Sequence, residues 1–404
     1  MHTRTRRRRP NPLWVFTAAA CVCGVSPAAP QKKLIHLGID TPWISSLPDI
    51  VTQMEQSPFD GWVFSVRSTC PDRSLLDGRP RTFDFTWGGW GTRAFTREEI
   101  QDSIDALQTT RFIRFTDNFI RLCVTPGDVD WFDPHDVILD NVRLAALIAR
   151  EGGIKGIFFD PESYEAPIWE YRKQRHAGER TYPEYAAQVR RRGAETMTAI
   201  QDVHPDITIL CAFGHSANYC YGCADDKDTS VSFPKYSNDP LKLQYGEYGL
   251  LSAFLNGMVD VAGPGVKLID GFENAYFYLR AKEFAEGRRI VSDGVLPFVD
   301  SPEKHRRVYR CGFGIWLDAD WLGGRNRDDF PADGRNEYPG WSSVEFSRNH
   351  FQPDELEISL KNALRHTDEY VWLYAERVFY WGPQKNVPDA YVQSIERARA
   401  SGHP

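Results

Sequence analysis

Residues 154–162 read Ile-Lys-Gly-Ile-Phe-Phe-Asp-Pro-Glu, a short apolar run that ends in two acids. A nearly continuous apolar run bounded by Gly and Pro predicts a parallel β-strand that is covered on both faces. In extended backbone Asp160 and Glu162 point the same way, about 6–7 Å apart along the strand. Two carboxyl groups so close cannot both ionise freely, so one pKa is expected to rise, as a general acid requires.

The same pattern of a strand followed by a helix recurs eight times along the chain. The predicted strands cover residues 33–39, 62–66, 119–124, 155–159, 207–213, 266–269, 313–317 and 370–374. Helices are predicted between them, for example where the capping-box pairs Thr96/Glu99 and Thr181/Glu184 open amphipathic stretches. No Gly-rich dinucleotide or phosphate loop follows any of these strands. We therefore predict the α/β class and a single (β/α)8 TIM barrel over residues 31–404.

Three long insertions follow predicted strands, at residues 68–93, 219–240 and 319–352. They are expected at the C-terminal face of the barrel, where barrel enzymes build their sites. In the second insertion Cys220 and Cys223 form a Cys-Tyr-Gly-Cys sequence. We predict a local disulfide there, because a zinc site needs two further ligands in register.

Residues 1–30 have the three-part pattern of a secretory signal peptide. Five arginines are followed by an apolar run over 13–25 and then by small residues, with cleavage expected near Ala28 or Ala29. Cys21 or Cys23 offers an alternative, a lipid attachment site. The run is too short to span a bilayer, and no other segment has about 18 uninterrupted apolar residues. The sequence therefore predicts an exported protein, periplasmic or extracellular, without a transmembrane segment.

The charge balance argues against a nucleic-acid partner. The whole chain has 48 basic and 55 acidic residues, a net charge of −7. Without the five arginines of residues 1–30, the remainder has 43 basic against 55 acidic residues, or −12. An acidic body is a poor binder of polyanions. The aromatic content of 13%, in an acidic chain, favours a sugar-binding protein.

Carboxylates end several predicted strands, and in a barrel these strand ends converge on one mouth. Besides Asp160 and Glu162, the acids at strand ends are Asp40, Asp270, Glu273, Asp318 and Glu376. A carboxylate at the end of an apolar strand is costly to desolvate unless it is paired or useful. If one acid of the Asp160/Glu162 pair is a general acid, a second carboxylate is needed as nucleophile or base, and we rank Glu273 first for that role, followed by Glu376 and then Asp318. Asp270, which precedes Gly271, is predicted to be structural.

Aromatic residues are concentrated after the predicted strands. Sugar rings present apolar C–H faces that stack on aromatic rings, while polar neighbours bind the hydroxyl groups. The predicted substrate-binding residues at these strand ends are Asp40, Trp43, Tyr164, His215, Tyr276, Asp318 and Trp381. No cofactor is predicted, and the sequence indicates no oligomeric state.

The segment quoted first also resembles a known family. Residues 154–162 look like the fourth-strand signature of chitinase-type (family 18) glycoside hydrolases, in which acids and apolar residues alternate up to a final Glu. Gly156, Asp160 and Glu162 match this signature, whereas Lys155 and Phe158 stand where it has acids. The resemblance covers nine residues and the barrel pattern. It implies that Glu162 donates a proton to the glycosidic oxygen and that Asp160 supports it.

Three hypotheses follow. The leading one is an exported glycoside hydrolase that acts on a carbohydrate by carboxylate acid–base chemistry. The second is a carbohydrate-binding barrel without catalytic activity. The third is a metal-dependent hydrolase with Asp40, Asp160, His215 and Glu273 as ligands, although no His-x-His or His-Glu-x-x-His spacing supports it.

Overall fold

The predicted strands form a single parallel sheet in the computed structural model, which describes residues 31–70, 75–76, 79–219, 239–319 and 341–401. Its strands in chain order are β1 Lys33–Gly38, β2 Gly61–Phe64, β3 Phe119–Cys123, β4 Gly156–Asp160, β5 Thr208–Cys211, β6 Lys267–Asp270, β7 Tyr309–Cys311, β8 Phe313–Trp316 and β9 Tyr370–Ala375. The predicted signal peptide with Cys21 and Cys23, and the predicted disulfide between Cys220 and Cys223, lie outside the described residues.

The sheet curls into a nearly closed barrel. Its hydrogen-bonded order is β7-β6-β5-β4-β3-β2-β1-β9-β8, and every neighbouring pair is parallel. The two ends of this order, β7 and β8, are consecutive in the chain and are separated by Gly312 alone. They occupy one position of an eight-strand ring. The predicted fold class, an α/β TIM-like barrel, is confirmed.

The seventh strand position of the barrel consists of two short strands, β7 and β8, which pair with different neighbours. Cys311 in β7 is in register with Asp270 of β6, whereas Phe313 in β8 is in register with Val371 of β9. The main-chain N–H of Gly312 still donates to the Asp270 carbonyl, at 2.7 Å. The prediction of a strand over 313–317 was therefore incomplete, because the seventh strand position begins at Tyr309.

Helices alternate with the strands around the barrel. They are α1 Leu47–Met54, α2 Arg97–Thr109, α3 Asp136–Glu151, α4 Tyr182–Val203, α5 Leu251–Val261, α6 Ala281–Arg289, α7 Pro302–Val308, α8 Pro353–His366 and α9 Asp389–Ser401. The predicted capping boxes are formed at Thr96/Glu99 and at Thr181/Glu184. Each satisfies main-chain N–H groups that the first helical turn leaves without partners.

Short elements occupy the connections. Two-stranded antiparallel ribbons pair Arg67–Thr69 with Thr82–Asp84 and Leu75–Leu76 with Arg79–Pro80. Short helical turns lie at Ile44–Ser46, Phe85–Gly88, Tyr171–Lys173, His215–Ala217, Pro240–Tyr245, Glu273–Ala275, Ile290–Gly294, Leu296–Phe298 and Phe346–Arg348. No helix in the described part of the chain has the length and apolarity needed to cross a membrane.

Aromatic side chains fill the barrel interior. The ring of Phe158 in β4 lies 5.3 Å from Trp372 in β9, and Phe119 in β3 lies 5.4 Å from Tyr370 in β9. These strands are not neighbours in the sheet, so both contacts cross the interior. All four side chains are buried. Aromatic burial therefore closes the barrel beneath its C-terminal mouth.

Two glycines allow the helices behind β4 to β6 to approach closely. A Cβ on Gly193 of α4 would lie 1.9 Å from the Phe254 carbonyl oxygen of α5. A Cβ on Gly257 of α5 would lie 1.9 Å from the Arg190 carbonyl oxygen of α4. Any larger residue at either position would force the two helices apart.

Candidate active site

Glu162 lies just beyond the C-terminal end of β4, held by contacts within its own segment. Its main-chain N–H donates to Oδ1 of Asp160 at 3.1 Å, and its Oε2 accepts a hydrogen bond from the Tyr164 hydroxyl. The indole N–H of Trp169 donates to the Pro161 carbonyl at 2.6 Å and fixes the turn between them. Glu162 is half-buried. A partly shielded carboxyl group on a fixed main chain suits proton transfer.

Asp160 is 1% exposed and is paired with Arg121 of β3. Oδ2 of Asp160 accepts from Nη2 of Arg121 at 2.5 Å and from Nε at 3.2 Å. The Sγ of Cys123 lies 3.7 Å from the same oxygen. The sequence interpretation missed Arg121. Its signal was available, because a cation inside the apolar strand Phe-Ile-Arg-Leu-Cys needs a buried counter-charge.

Glu273 opens a short turn, Glu273–Ala275, that follows β6. The residue before it, Phe272, has left-handed backbone angles, φ 38° and ψ 66°, which cost about 1–2 kcal/mol in a residue with a side chain. The main-chain N–H of Phe272 donates to Oδ1 of Asp270 at 3.2 Å, and the Ser216 hydroxyl donates to the same oxygen at 2.6 Å. The buried Asp270 therefore holds the strained turn that presents Glu273.

Glu162 and Glu273 share one electrostatic environment at the mouth of the barrel. Burial, and then the charge of Asp160, raise the pKa of Glu162 to about 7, while the Tyr164 hydrogen bond and the charge of Arg121 act in the opposite direction. Burial, and then the charge of Glu162, raise the pKa of Glu273 well above its ordinary value, and hydrogen bonding to Tyr276 opposes this. The pair therefore keeps a proton to a higher pH than an isolated carboxyl group would.

Aromatic side chains surround the two glutamates. Tyr164 is 51% exposed, and its ring meets Trp87 edge-on at 5.1 Å. Tyr276, which follows β6, contacts Trp316 at 5.5 Å and Trp372 at 5.4 Å. Of the aromatic residues predicted to bind substrate, Tyr164 contacts Glu162 and Tyr276 contacts Glu273. Trp87 is half-buried beside Tyr164, whereas Trp316 and Trp372 are buried and pack against Tyr276.

Glu376 and Asp318 have different roles at the ends of β9 and β8. Glu376 is exposed at the rim and accepts from the Tyr374 hydroxyl at 3.0 Å. Asp318 is 2% exposed and accepts from the main-chain N–H groups of Glu376, Arg377 and Val378. Its carboxylate therefore holds the chain after β9, which contrasts with the substrate-binding role predicted for it.

Asp40, at the end of β1, also binds main chain, like Asp318. Its Oδ1 is paired with Nε2 of His36 at 2.8 Å, and its Oδ2 accepts from the main-chain N–H of Tyr380 at 3.0 Å. The indole N–H of Trp381 donates to the Asp40 carbonyl at 3.0 Å. These contacts tie the first strand to the segment after the last one. Asp40 and Trp381, both predicted to bind substrate, lie together in this junction.

The contacts of two other predicted substrate-binding residues, Trp43 and His215, are made with residues other than the two glutamates. Trp43 stacks under Arg67, with the guanidinium carbon 4.1 Å from the ring centroid. His215 is fully buried, with its main-chain N–H bonded to the Tyr309 hydroxyl and its ring 5.4 Å from that of His305. Burial, and then the charge of His305, lower the pKa of His215 well below its ordinary value. The structure thus places His215 in a core cluster.

The metal hypothesis required Asp40, Asp160, His215 and Glu273 to converge. Asp40 instead pairs with His36, Asp160 pairs with Arg121, and His215 lies in the core cluster. Across the described ranges, no group of three or more His, Cys, Asp or Glu side chains is arranged to hold a metal ion. The predicted ligand set is therefore not brought together.

No family model matches the chain, and no curated protein matches it. The resemblance to chitinase-type enzymes therefore stays a prediction. Solved structures give only distant likenesses. A glycoside hydrolase family 5 enzyme from Prevotella bryantii B14, in complex with a xyloglucan tetradecasaccharide, is 12% identical with a TM-score of 0.35, covering 78% of this chain and 93% of that chain.

Two further likenesses are of the same kind. Xylanase A of P fluorescens subsp. cellulosa, in complex with xylopentaose, is 12% identical with a TM-score of 0.37, covering 76% of this chain and 95% of that chain. A GH5_18 protein from Streptomyces cattleya, in complex with GlcNAc, is 12% identical with a TM-score of 0.35, covering 74% of each chain. At such scores the likenesses carry no argument about activity, which depends on the residues of this chain.

Proposed function

We propose that this protein is a glycoside hydrolase that uses Glu162 and Glu273 as its catalytic pair. One observation carries the proposal. Two half-buried glutamates face the same barrel mouth, and each has a raised pKa. Two interacting carboxyl groups beside the exposed ring of Tyr164 and the half-buried ring of Tyr276 provide an acid, a base and a sugar-stacking surface in one site.

In this proposal the two glutamates divide the reaction. Glu162 gives its proton to the glycosidic oxygen as the bond from that oxygen to the anomeric carbon breaks. When the proton that the pair shares is on Glu162, the Glu273 carboxylate, which a hydrogen bond from Tyr276 stabilises, acts at the anomeric carbon as nucleophile or as base toward water. Water supplies the hydroxyl group of the new reducing end. Tyr164 and Tyr276 flank the pair and offer ring faces to the sugar.

The roles are tested by varying the leaving group. Glu162→Gln is expected to lower kcat/KM for unactivated oligosaccharides at least about 10²-fold, the usual scale for a general acid. Dinitrophenyl glycosides need no proton on the leaving oxygen, so the same variant is expected to cleave them at near wild-type rates. Glu273→Gln is expected to lose activity on both substrates. Glu165→Gln, an exposed position three residues after Glu162, is the matched control.

Two outcomes would contradict these assignments. If Glu273→Gln, and not Glu162→Gln, is rescued by the activated leaving group, the acid and its partner are reversed. If the folded wild-type protein binds oligosaccharides by calorimetry yet releases no reducing ends, it is the carbohydrate-binding barrel of the second hypothesis.

We also propose that the protein is exported by residues 1–30. The basic start, the apolar run and the small residues before Ala28 and Ala29 support this. The test is N-terminal sequencing of the protein recovered from secreting cells. A new N-terminus near residue 30 supports export, a lipid-modified Cys21 or Cys23 indicates the anchored form, and an intact cytoplasmic chain contradicts both.

A further inference from the structure

Five side chains around Glu162 form a closed ring of contacts, here called the acid-support ring: Trp87, Arg121, Asp160, Glu162 and Tyr164. Arg121 binds Asp160, Asp160 accepts from the Glu162 main chain, and the Tyr164 hydroxyl donates to Glu162. Tyr164 contacts Trp87 at 5.1 Å, and Trp87 in turn lies under the Arg121 guanidinium at 4.9 Å. Each member therefore limits the movement of its two neighbours.

Trp87 closes this ring from the long loop after β2. Its main-chain N–H donates to Oδ1 of Asp84 at 3.2 Å. Its carbonyl accepts from the Thr125 hydroxyl, just beyond β3, at 2.6 Å. The main chain of Trp87 is thus held on both sides of its Cα, which limits where the indole can lie. The guanidinium above it is restricted in turn, because a cation is attracted to the face of an aromatic ring.

Arg121 is the only cation in this ring, and its side chain is 17% exposed. Although burial opposes it, the charge of Asp160 raises the pKa of Arg121, so the guanidinium is charged at every relevant pH. Two nitrogens of its planar fork reach one oxygen of Asp160. The other oxygen of Asp160 is left to receive the Glu162 main chain. One guanidinium therefore influences both the position and the electrostatics of the glutamate.

We propose that Arg121 is a positioning residue for Glu162, which holds the glutamate through Asp160 and sets by its charge the pH range over which that glutamate stays protonated. This inference rests on the proposed function for its kinetic part. The charge acts because a cation close to a carboxyl group favours the ionised form. The positioning role depends on the planar guanidinium group of Arg121, whose two parallel donors lysine cannot reproduce.

Other titratable groups also face this pair, and they remain in every variant considered below. They are Asp84 beside Arg121, Cys123 on β3, Asp160 and Tyr164 on the segment of Glu162, Glu247 and Tyr248 before α5, Glu273 and Tyr276 after β6, and Tyr374 on β9. Each of these is a carboxylic acid, a phenol or a thiol. Removing Arg121 therefore removes a positive charge from a cluster of groups that become negative on ionisation.

The test compares Arg121→Met with Arg121→Lys. In the methionine variant the alkaline limb of the kcat/KM profile is expected to move up by about half a pH unit or more, because a stabilising cation is lost. At the pH optimum kcat is expected to fall at least about 10-fold while KM changes less, as for loss of position. In the lysine variant the limb is expected to stay in place, while kcat still falls.

Arg399 provides a matched control at a distant ion pair. It is also 17% exposed, and its Nε lies 3.2 Å from Oδ2 of Asp60, the same distance as from Nε of Arg121 to Asp160. Arg399→Met therefore removes a similar Arg–Asp pair where α9 meets the start of β2. It is expected to lower the melting temperature without moving the pH profile. A limb that moves equally in Arg399→Met and Arg121→Met overturns the proposal.

A readout without substrate separates this proposal from the hydrolase assignment. In protein labelled with 13C at the glutamate carboxyl carbon, the Glu162 resonance is identified by its loss in Glu162→Gln. Its titration midpoint is expected to be higher in Arg121→Met than in wild type. Identical midpoints overturn the role of Arg121. If no glycoside is cleaved yet the midpoint moves, the hydrolase assignment fails while the electrostatic role of Arg121 is confirmed.

Discussion

The carboxylate of Asp318 binds the main chain of Glu376, whose N–H lies 3.0 Å from each of its two oxygens. The same carboxylate accepts from Arg377 and Val378, at 2.5 and 2.9 Å, and from the indole of Trp316 at 3.0 Å. A rim glutamate is thus carried on a segment that a buried aspartate holds. Asp160 holds Glu162 in the same way, and Asp270 holds the residue before Glu273.

Asp318→Ala is expected to destabilise the fold, because several buried N–H groups lose their acceptor. The expected loss is about 3 kcal/mol or more in the free energy of unfolding, measured by urea denaturation. Asp318→Asn, which keeps one acceptor oxygen, is expected to lose less. Glu376→Gln is the control and is expected to change stability by less than about 0.5 kcal/mol, since its side chain is exposed. Equal stability of Asp318→Ala and wild type would contradict this role.

Glu162 is expected to make stability fall as the pH rises. Its pKa is about 7 in the folded protein against an ordinary value of 4.5. The native state therefore binds more protons than the unfolded state between these values. The stabilisation is complete below pH 4.5 and is lost as the pH rises through 7. Glu162→Gln is expected to exceed wild type by about 1–3 kcal/mol at pH 8 and by much less at pH 4.5, in urea denaturation at both values.

The buried histidines His215 and His305 are expected to lower the stability of the fold as the pH falls, which is opposite to the effect of Glu162. Burial, and then the charge of Arg306, lower the pKa of His305 from 6.5 to about 4. Its neighbour His215 shifts in the same direction. The unfolded state therefore binds more protons below pH 6.5, so stability is lost as the pH falls toward 4. We expect the histidines to contribute a loss of about 2 kcal/mol or more between pH 7 and 4.5, which is the difference in pH dependence between wild type and His305→Gln. His305→Gln should flatten this dependence, and an unchanged slope would refute the assignment.

Gly193→Ala is expected to cost about 3 kcal/mol of folding free energy, because the added methyl group would overlap the Phe254 carbonyl where α4 meets α5. Gly178→Ala is the control, since a Cβ there meets nothing within 4 Å. Thermal unfolding of the two variants compares them directly. Similar melting temperatures would show that α4 and α5 do not depend on this close approach.

The sequence predicted the barrel well because its signal is local. Each predicted strand overlaps a strand of the sheet, and the capping boxes mark where α2 and α4 begin. The start of the seventh strand position was missed. There Tyr-Arg-Cys follows Val308 of α7 directly, without a turn residue, and Arg310 interrupts the apolar pattern.

Local sequence could not predict which strand-end carboxylates bind the main chain and which face the mouth. Asp318 is bound by residues 58 to 60 positions further along the chain, and Asp160 by Arg121, 39 positions before it. A strand-end acid that serves the main chain and one that faces the mouth have the same local sequence pattern. Asp40 and Asp318 bind the main chain, whereas Glu162 and Glu273 face the mouth. This difference arises only when the folded barrel brings distant segments together.

At Gly312 the chain stops pairing with β6 and begins to pair with β9. Beyond Gly312 the turn after β6 lies against β8, where the N–H of Trp316 donates to the Tyr276 carbonyl at 3.2 Å. Glu273 therefore lies on a turn that is hydrogen-bonded to β8. In glycosidases a carboxyl separation of about 5 Å gives retention of anomeric configuration, and about 6.5–9.5 Å gives inversion. For a hydrolase of the proposed kind, the turn over 271–276 would then help to set this separation. Both of its ends are bonded to the barrel wall, through the Gly271 N–H to the Cys211 carbonyl and through the Tyr276 carbonyl to the Trp316 N–H.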